Sequence, residues 1–333
     1  MRQMPVVAAI IIAGALVGGG IAISATVDPD GTDMQISEAN TDAGIERLDI
    51  GLIPVEKGKE PEAKSRALEQ FLSSELGIPV SVTYATAYEP IIESLRFGHL
   101  DAAMMDTGPA WIAHRQAGAE VLMAELVNGK TSYQATVWAP SADNSIQSLE
   151  DTVGKRVAFT SITGSSGFVR PVGTLVSGGS ITVAGDDIVA LEKALGENFE
   201  SHTFAGGYKA ALDLLIEGRV DAAFGSDIAA QKYLDPGDQT KTRPAASIGR
   251  VPSHVLVASA DLGGPAREAL VEAMIKLNYD EHNQILVDMY GAEAMVPTST
   301  DLHFGDFGTV LDGLAGLEQR ILAKYDKSAP AGT

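Results

Sequence analysis

The residues Phe159-Thr160-Ser161-Ile162-Thr163-Gly164-Ser165-Ser166-Gly167-Phe168 hold the densest set of groups suited to chemistry in this 333-residue chain. A strand-like run, Arg156 to Phe159, leads into them, and a helix is expected after Ser166. Gly164 and Gly167 let the backbone turn tightly. The first turn of a helix offers unpaired N–H groups and the positive end of its dipole. Thr163, Ser165 and Ser166 add hydroxyl donors. Such an assembly holds an anion without any cationic side chain. Without a ligand, the same string is a serine-rich turn with a helix cap. It lacks the Gly-Lys-Ser/Thr ending of a nucleotide P-loop, and Gly-Ser-Ser-Gly is not the Gly-x-Ser-x-Gly of a nucleophile elbow.

The elements that must position this loop are short apolar strands alternating with amphipathic helices. Leu48 to Ile53 reads as a strand ended by Pro54, Glu60 to Leu76 as a helix closed by Gly77, and Val80 to Tyr84 as a strand. A helix near Pro90 carries Ile91, Ile92 and Leu95 and closes at Gly98; Leu100 to Met105 is strand-like, and Gly108-Pro109 opens another helix. A second round follows Ala139-Pro140, with a helix from Tyr208 to Glu217 and a strand from Val220 to Phe224. The rounds share a phrase: Arg96 to Ala103 and Ile216 to Ala223 both pass from a helix-ending Gly to apolar-Asp-Ala-Ala. The expected fold is α/β: two lobes, each a mainly parallel sheet flanked by helices. Residues 46–138 and 252–325 form the first lobe and 139–251 the second, so two crossovers make the hinge.

Composition narrows the function classes. The chain has 24 Lys+Arg against 44 Asp+Glu, a net charge of -20, which argues against nucleic acid as a partner. With no cysteine there is no disulfide, thiol nucleophile or lipidated cysteine anchor. The six histidines show no metal-ligand spacing. Val6 to Ala25 is an uncharged apolar run behind Arg2. Residues 1–25 are therefore expected to be an export signal or an N-terminal membrane anchor, followed by a linker over 26–45. That places the protein outside the cytoplasm, in the periplasm or at the cell surface.

From Leu48 to Leu277 the chain resembles the solute-binding proteins of phosphate/phosphite/phosphonate ABC transporters. The resemblance rests on Gly51-Leu52-Ile53-Pro54; on Tyr88 before the helix leading to Gly98–Asp101; on Gly108-Pro109 with Trp111; on Asp151 to Phe159; on Gly164-Ser165-Ser166-Gly167 with Pro171; and on Tyr208 thirteen residues before Asp221. Three positions depart from the family pattern: Val153 breaks the Asp151 to Phe159 phrase, Gly164 lacks a hydroxyl, and Tyr208 stands where the family has His.

The resemblance implies a type II periplasmic-binding-protein architecture that captures a small phosphorus oxyanion and passes it to a permease and its ATPase. It implies no cofactor and no catalytic residue. The ligand-binding residues it implies are Tyr88, Thr107, Trp111, Thr163, Ser165, Ser166, Gly167, Tyr208 and Asp221. Asp221 would accept a proton from a P–OH group and so reject ionised sulfate. Three other readings remain: a binder of another oxyanion or small organic solute, a ligand-sensing ectodomain, and an enzyme. The enzyme lacks a base paired with a serine and a carboxylate cluster for metal.

Overall fold

The computed structural model describes residues 45–323 apart from 53–60, 86 and 291. The first lobe starts with β1 (Leu48–Leu52), α1 (Pro61–Leu76), β2 (Val80–Tyr84), α2 (Tyr88–Arg96), β3 (Ala102–Met105), α3 (Thr107–Ala117) and β4 (Glu120–Leu126). The second holds β5 (Ser132–Pro140), β6 (Arg156–Phe159), a π-turn over Ser165–Val169 running into α4 (Arg170–Ser177), α5 (Ile188–Asn198), β7 (Ser201–Phe204) and α6 (Tyr208–Ile216). It ends with β8 (Ala222–Ser226), α7 (Ala229–Tyr233), α8 (Pro236–Gln239) and β9 (Thr242–Pro252). The return to the first lobe brings β10 (Val255–Ala258), α9 (Gly264–Lys276), α10 (Asn283–Tyr290), β11 (Ala294–Pro297), α11 (Thr300–Phe304), α12 (Phe307–Asp312) and α13 (Glu318–Leu322).

The strand orders are β11-β4-β10-β3-β1-β2 and β7-β6-β8-β5-β9. The pairs β1–β2, β1–β3, β6–β7 and β6–β8 are parallel; the strands carried across by the hinge pair antiparallel. Each sheet is thus mixed: a parallel half built from βαβ units meets an antiparallel half built from the crossovers. The expected lobe boundary at 138/139 falls inside β5. That strand joins the second sheet against β8 and β9, so the outward crossing lies at 127–131 and the return at 253–254.

The repeated phrase marks one device built twice. Gly98 and Gly218 end their helices with φ of 68°, a left-handed value that favours glycine. The following aspartates tie the starts of neighbouring parallel strands. Asp101 donates its N–H to the Asp49 carbonyl at 2.8 Å, and its carboxylate accepts the Asp49 N–H at 2.8 Å. Asp221 does the same to Arg156, at 2.8 and 2.9 Å.

One apolar core lies between α1, α9 and the first sheet, including Leu72, Leu256 and Leu270. A second lies under α6, with Leu212, Leu215 and Ala223. The third is continuous across both lobes and takes in Ile91, Met105, Phe159, Phe168, Phe307 and Leu311. The C-terminal helices thus pack on both lobes. Residues 1–44, which include the expected export segment and nearly all of the linker, lie outside the described residues. No described helix is long and apolar enough to cross a membrane.

Candidate ligand-binding site

The two parallel halves end their strands beside the hinge, where open α/β sheets place ligands. At that end of β6 the loop 160–167 turns into the π-turn. Gly167 is there because Thr160 leaves no room: a Cβ on it would stand 2.0 Å from the Thr160 hydroxyl oxygen and 2.6 Å from its methyl. Thr160 also donates its N–H to the Gly167 carbonyl and accepts the Gly206 N–H, so the loop is fixed to β6 on two sides. The N–H groups of Ser165, Ser166 and Gly167 have no acceptor among the described residues, as the first turn of a helix dictates. Ser166 is fully buried, whereas Thr163 and Ser165 form a partly exposed lip.

Three hydroxyl-bearing side chains gather here. The Ser166 hydroxyl lies 2.8 Å from that of Tyr208, the first residue of α6. The Tyr208 ring packs on Gly225, where an added Cβ would meet it at 3.0 Å, and stacks on Tyr233 at 5.5 Å. Tyr133, from β5, lies near both Ser166 and Tyr208, and each bears on the titration of its phenol. Burial pushes the Tyr133 phenol well above its ordinary pKa, with the neighbouring Tyr208 and Asp106 adding to the shift, so it stays a neutral donor. From the first lobe, the buried Tyr88 hydroxyl accepts the Asp106 N–H at 3.2 Å. The structure thus brings together Ser166, Gly167 and Tyr208, with Thr163 and Ser165 on the lip, and holds Tyr88 against Asp106 in the first lobe.

Three expected ligand residues are placed otherwise. Asp221 lies at the start of β8, about 13 Å along the strand from Gly225. It accepts hydrogen bonds from the Arg156 N–H, Nε (3.1 Å) and Nη2 (2.6 Å), and that guanidinium holds its carboxyl below the usual range. A carboxylate so engaged ties β8 to β6 at the end of the strand away from the anion loop. The Thr107 hydroxyl donates to the carbonyls of Pro252 (2.8 Å) and Ser253 (3.2 Å), so it secures the return crossing. Trp111 faces the C-terminal helices: its Nε1 donates to Asp312 at 2.8 Å, and its ring packs on Gly308 and edge-on to Phe304.

Sequence reasoning missed Tyr133, Asp106 and His254. Tyr133 could have been found from the alternation of Tyr133, Ala135 and Val137 along one face of a strand. Asp106 carries no such signal, because its place depends on contacts more than a hundred residues away. Its carboxylate is 3.4 Å from His254 Nε2, and His254 Nδ1 is 3.0 Å from Glu125.

Neutral hydroxyls, three N–H groups without an acceptor among the described residues and a helix dipole are groups that suit a small anion, and no metal-ligand cluster occurs among the described residues. A family model described as the periplasmic substrate-binding protein of a phosphonate ABC transporter matches residues 50–303. The phosphate-import protein PhnD of Mycolicibacterium smegmatis is 27% identical over 200 residues, which cover 58% of this chain and 59% of that protein's length. XAC2383 from Xanthomonas citri, solved bound to ATP, aligns with a TM-score of 0.62 at 14% identity, over 81% of this chain and 98% of that one. PhnD1 from Prochlorococcus marinus (MIT 9301), in complex with methylphosphonate, aligns with a TM-score of 0.53 at 17% identity, over 81% and 99%. At such identities these structures establish the shared two-lobed fold alone. The family match over most of the chain goes further: this protein belongs to the periplasmic substrate-binding proteins of phosphonate ABC transporters.

Proposed function

We propose that the protein captures a small phosphorus oxyanion (phosphite, phosphate or a phosphonate) between its two lobes and delivers it to a membrane permease and its ATPase. The observation that carries this reading is the meeting of the Ser166 and Tyr208 hydroxyls, 2.8 Å apart, beside the N–H groups of 165–167. The anion's oxygens take the N–H groups and the Ser165 and Ser166 hydroxyls on one side. Tyr208, Tyr133 and Tyr88 donate from the others. Each hydrogen bond to a charged oxygen contributes about 1.5–3 kcal/mol. Binding without transformation is what membership of a substrate-binding transport family supports.

The surface charge of -20 does not oppose this reading. A polyanion needs a broad positive field, whereas a small anion needs only local dipoles and donors. The apolar segment over residues 6–25 serves export and, if retained, anchors the protein beside its permease. Calorimetric titration with phosphite, phosphate, methylphosphonate and aminoethylphosphonate tests the proposal. Saturable one-to-one binding of at least one of them is expected; no binding of any would refute it.

A further inference from the structure

Tyr208 opens α6, and the chain that leads to it does little to fix its side chain. It follows Gly206, with φ of 86°, and Gly207; a Cβ on either would meet nothing within 4 Å. The hydroxyl nevertheless lies 2.8 Å from that of Ser166, so the ring itself must be held. Two contacts hold it. On β8, Gly225 leaves the ring its place: an added Cβ would stand 3.0 Å from Cδ1 and 3.4 Å from Cε1. From α7, the Tyr233 ring stacks on it, with centroids 5.5 Å apart and planes 19° from parallel. That separation falls in the range of about 4.5–7 Å over which aromatic pairs attract.

The element that presents Tyr233 is tethered at both ends. Ahead of α7, Trp138 Nε1 donates to the Ser226 carbonyl at 3.1 Å, and the Asp227 N–H donates to the Gln134 carbonyl at 2.9 Å. Ala229 and Ala230 are buried in the core under α6, where both tyrosine rings pack at its margin. Behind the helix, Leu234 is buried and its carbonyl accepts Gln239 Nε2 at 2.9 Å. A stack formed on such a support is in place whether or not a ligand is bound.

We infer that Tyr233 is a positioning residue of the anion site, acting through Tyr208. The inference rests on the reading of the site as a phosphorus-oxyanion pocket. A phenol carries its hydroxyl far from the backbone, so a small change in side-chain torsion takes it out of hydrogen-bonding range. A ligand that must order that side chain loses affinity in doing so; a ring already stacked spares it that cost.

The test is calorimetry of the full-length protein with phosphate and methylphosphonate, with thermal denaturation to confirm folding. Tyr233→Ala is expected to weaken binding about three- to tenfold. Tyr233→Phe keeps the ring and is expected to hold affinity within about twofold. Made in a Tyr208→Phe background, which has no hydroxyl to aim, Tyr233→Ala is expected to cost less than about twofold. Should Tyr233→Ala not fold, Tyr233→Leu keeps apolar bulk without a stacking face and carries the same expectations. Equal losses in the two backgrounds would mark a general structural effect and overturn the inference. Unchanged affinity without the ring, or a loss with Phe as large as with Ala, also overturns it. Binding of no phosphorus oxyanion by the unaltered protein defeats the underlying reading, a result distinct from binding that ignores Tyr233.

Discussion

The Ser166 and Tyr208 hydroxyls lie 2.8 Å apart, although the residues are 42 positions apart and sit in the first turns of two different helices. Those helices start at the same ends of the adjacent parallel strands β6 and β7, which is what brings the groups together. Removing either group takes away a donor aimed at the anion and leaves its partner unpaired. Ser166→Ala and Tyr208→Phe are each expected to weaken binding by about 1.5–3 kcal/mol, roughly 10- to 150-fold. Because the two share one bond, the double variant should lose less than the sum of the singles, which a calorimetric double-mutant cycle reads directly.

Asp221 is engaged with Arg156 at the opposite end of β8 from this pair. Asp221→Ala should leave ligand affinity within about twofold while lowering stability by about 1 kcal/mol. Thermal denaturation and titration of the same preparation separate the two effects. A large loss of affinity without a loss of stability would return Asp221 to the site.

The tie between Asp221 and Arg156 shows what local pattern reveals and what it does not. The Gly-to-apolar-Asp-Ala-Ala phrase was legible, and it does mark a helix end and a strand start twice over. Its repetition was the clue to a shared structural role, since Asp101 and Asp221 clamp equivalent strand pairs. The anion loop was legible because its glycines, hydroxyls and helix start are contiguous in sequence. Tyr133 and Asp106 were hidden because the antiparallel halves of both sheets come from crossovers. Only that long-range pairing carries β5 to the second lobe and sets His254 against Asp106. The partners of Trp111 and Thr107 were hidden for a related reason: Asp312, Pro252 and Ser253 lie far along the chain.

Gly167 has no space for a side chain against Thr160. Gly167→Ala should therefore push the loop off β6, at a cost of about 1–3 kcal/mol in stability together with a loss of affinity. Chemical denaturation and titration check the two parts. A variant with unchanged stability would mean that the loop packs less closely on Thr160 than the structure has it.

His303 is 1% exposed and its pKa is lowered to about 4, chiefly by burial. Its Nε2 lies 2.9 Å from the Ser253 carbonyl, which can only accept, so Nε2 carries the hydrogen of a neutral ring. In the unfolded chain the same ring takes up a proton near 6.5. Between those values the unfolded state binds more protons, so stability present at neutral pH is lost as the pH falls from about 6.5 towards 4, by roughly 3 kcal/mol. His303→Gln should flatten that part of the stability-against-pH curve. An equally steep curve in the variant would assign the loss to other groups.

The central claim is that a phosphorus oxyanion sits between Ser166, Tyr133 and Tyr208 at the N–H groups of 165–167. A crystal structure of the protein with bound methylphosphonate or phosphate tests it most directly. The predicted result is phosphorus density with an oxygen about 2.7–3.0 Å from the Ser166 and Tyr208 hydroxyl oxygens. Density anywhere else, with the Ser166–Tyr208 pair undisturbed, would contradict it.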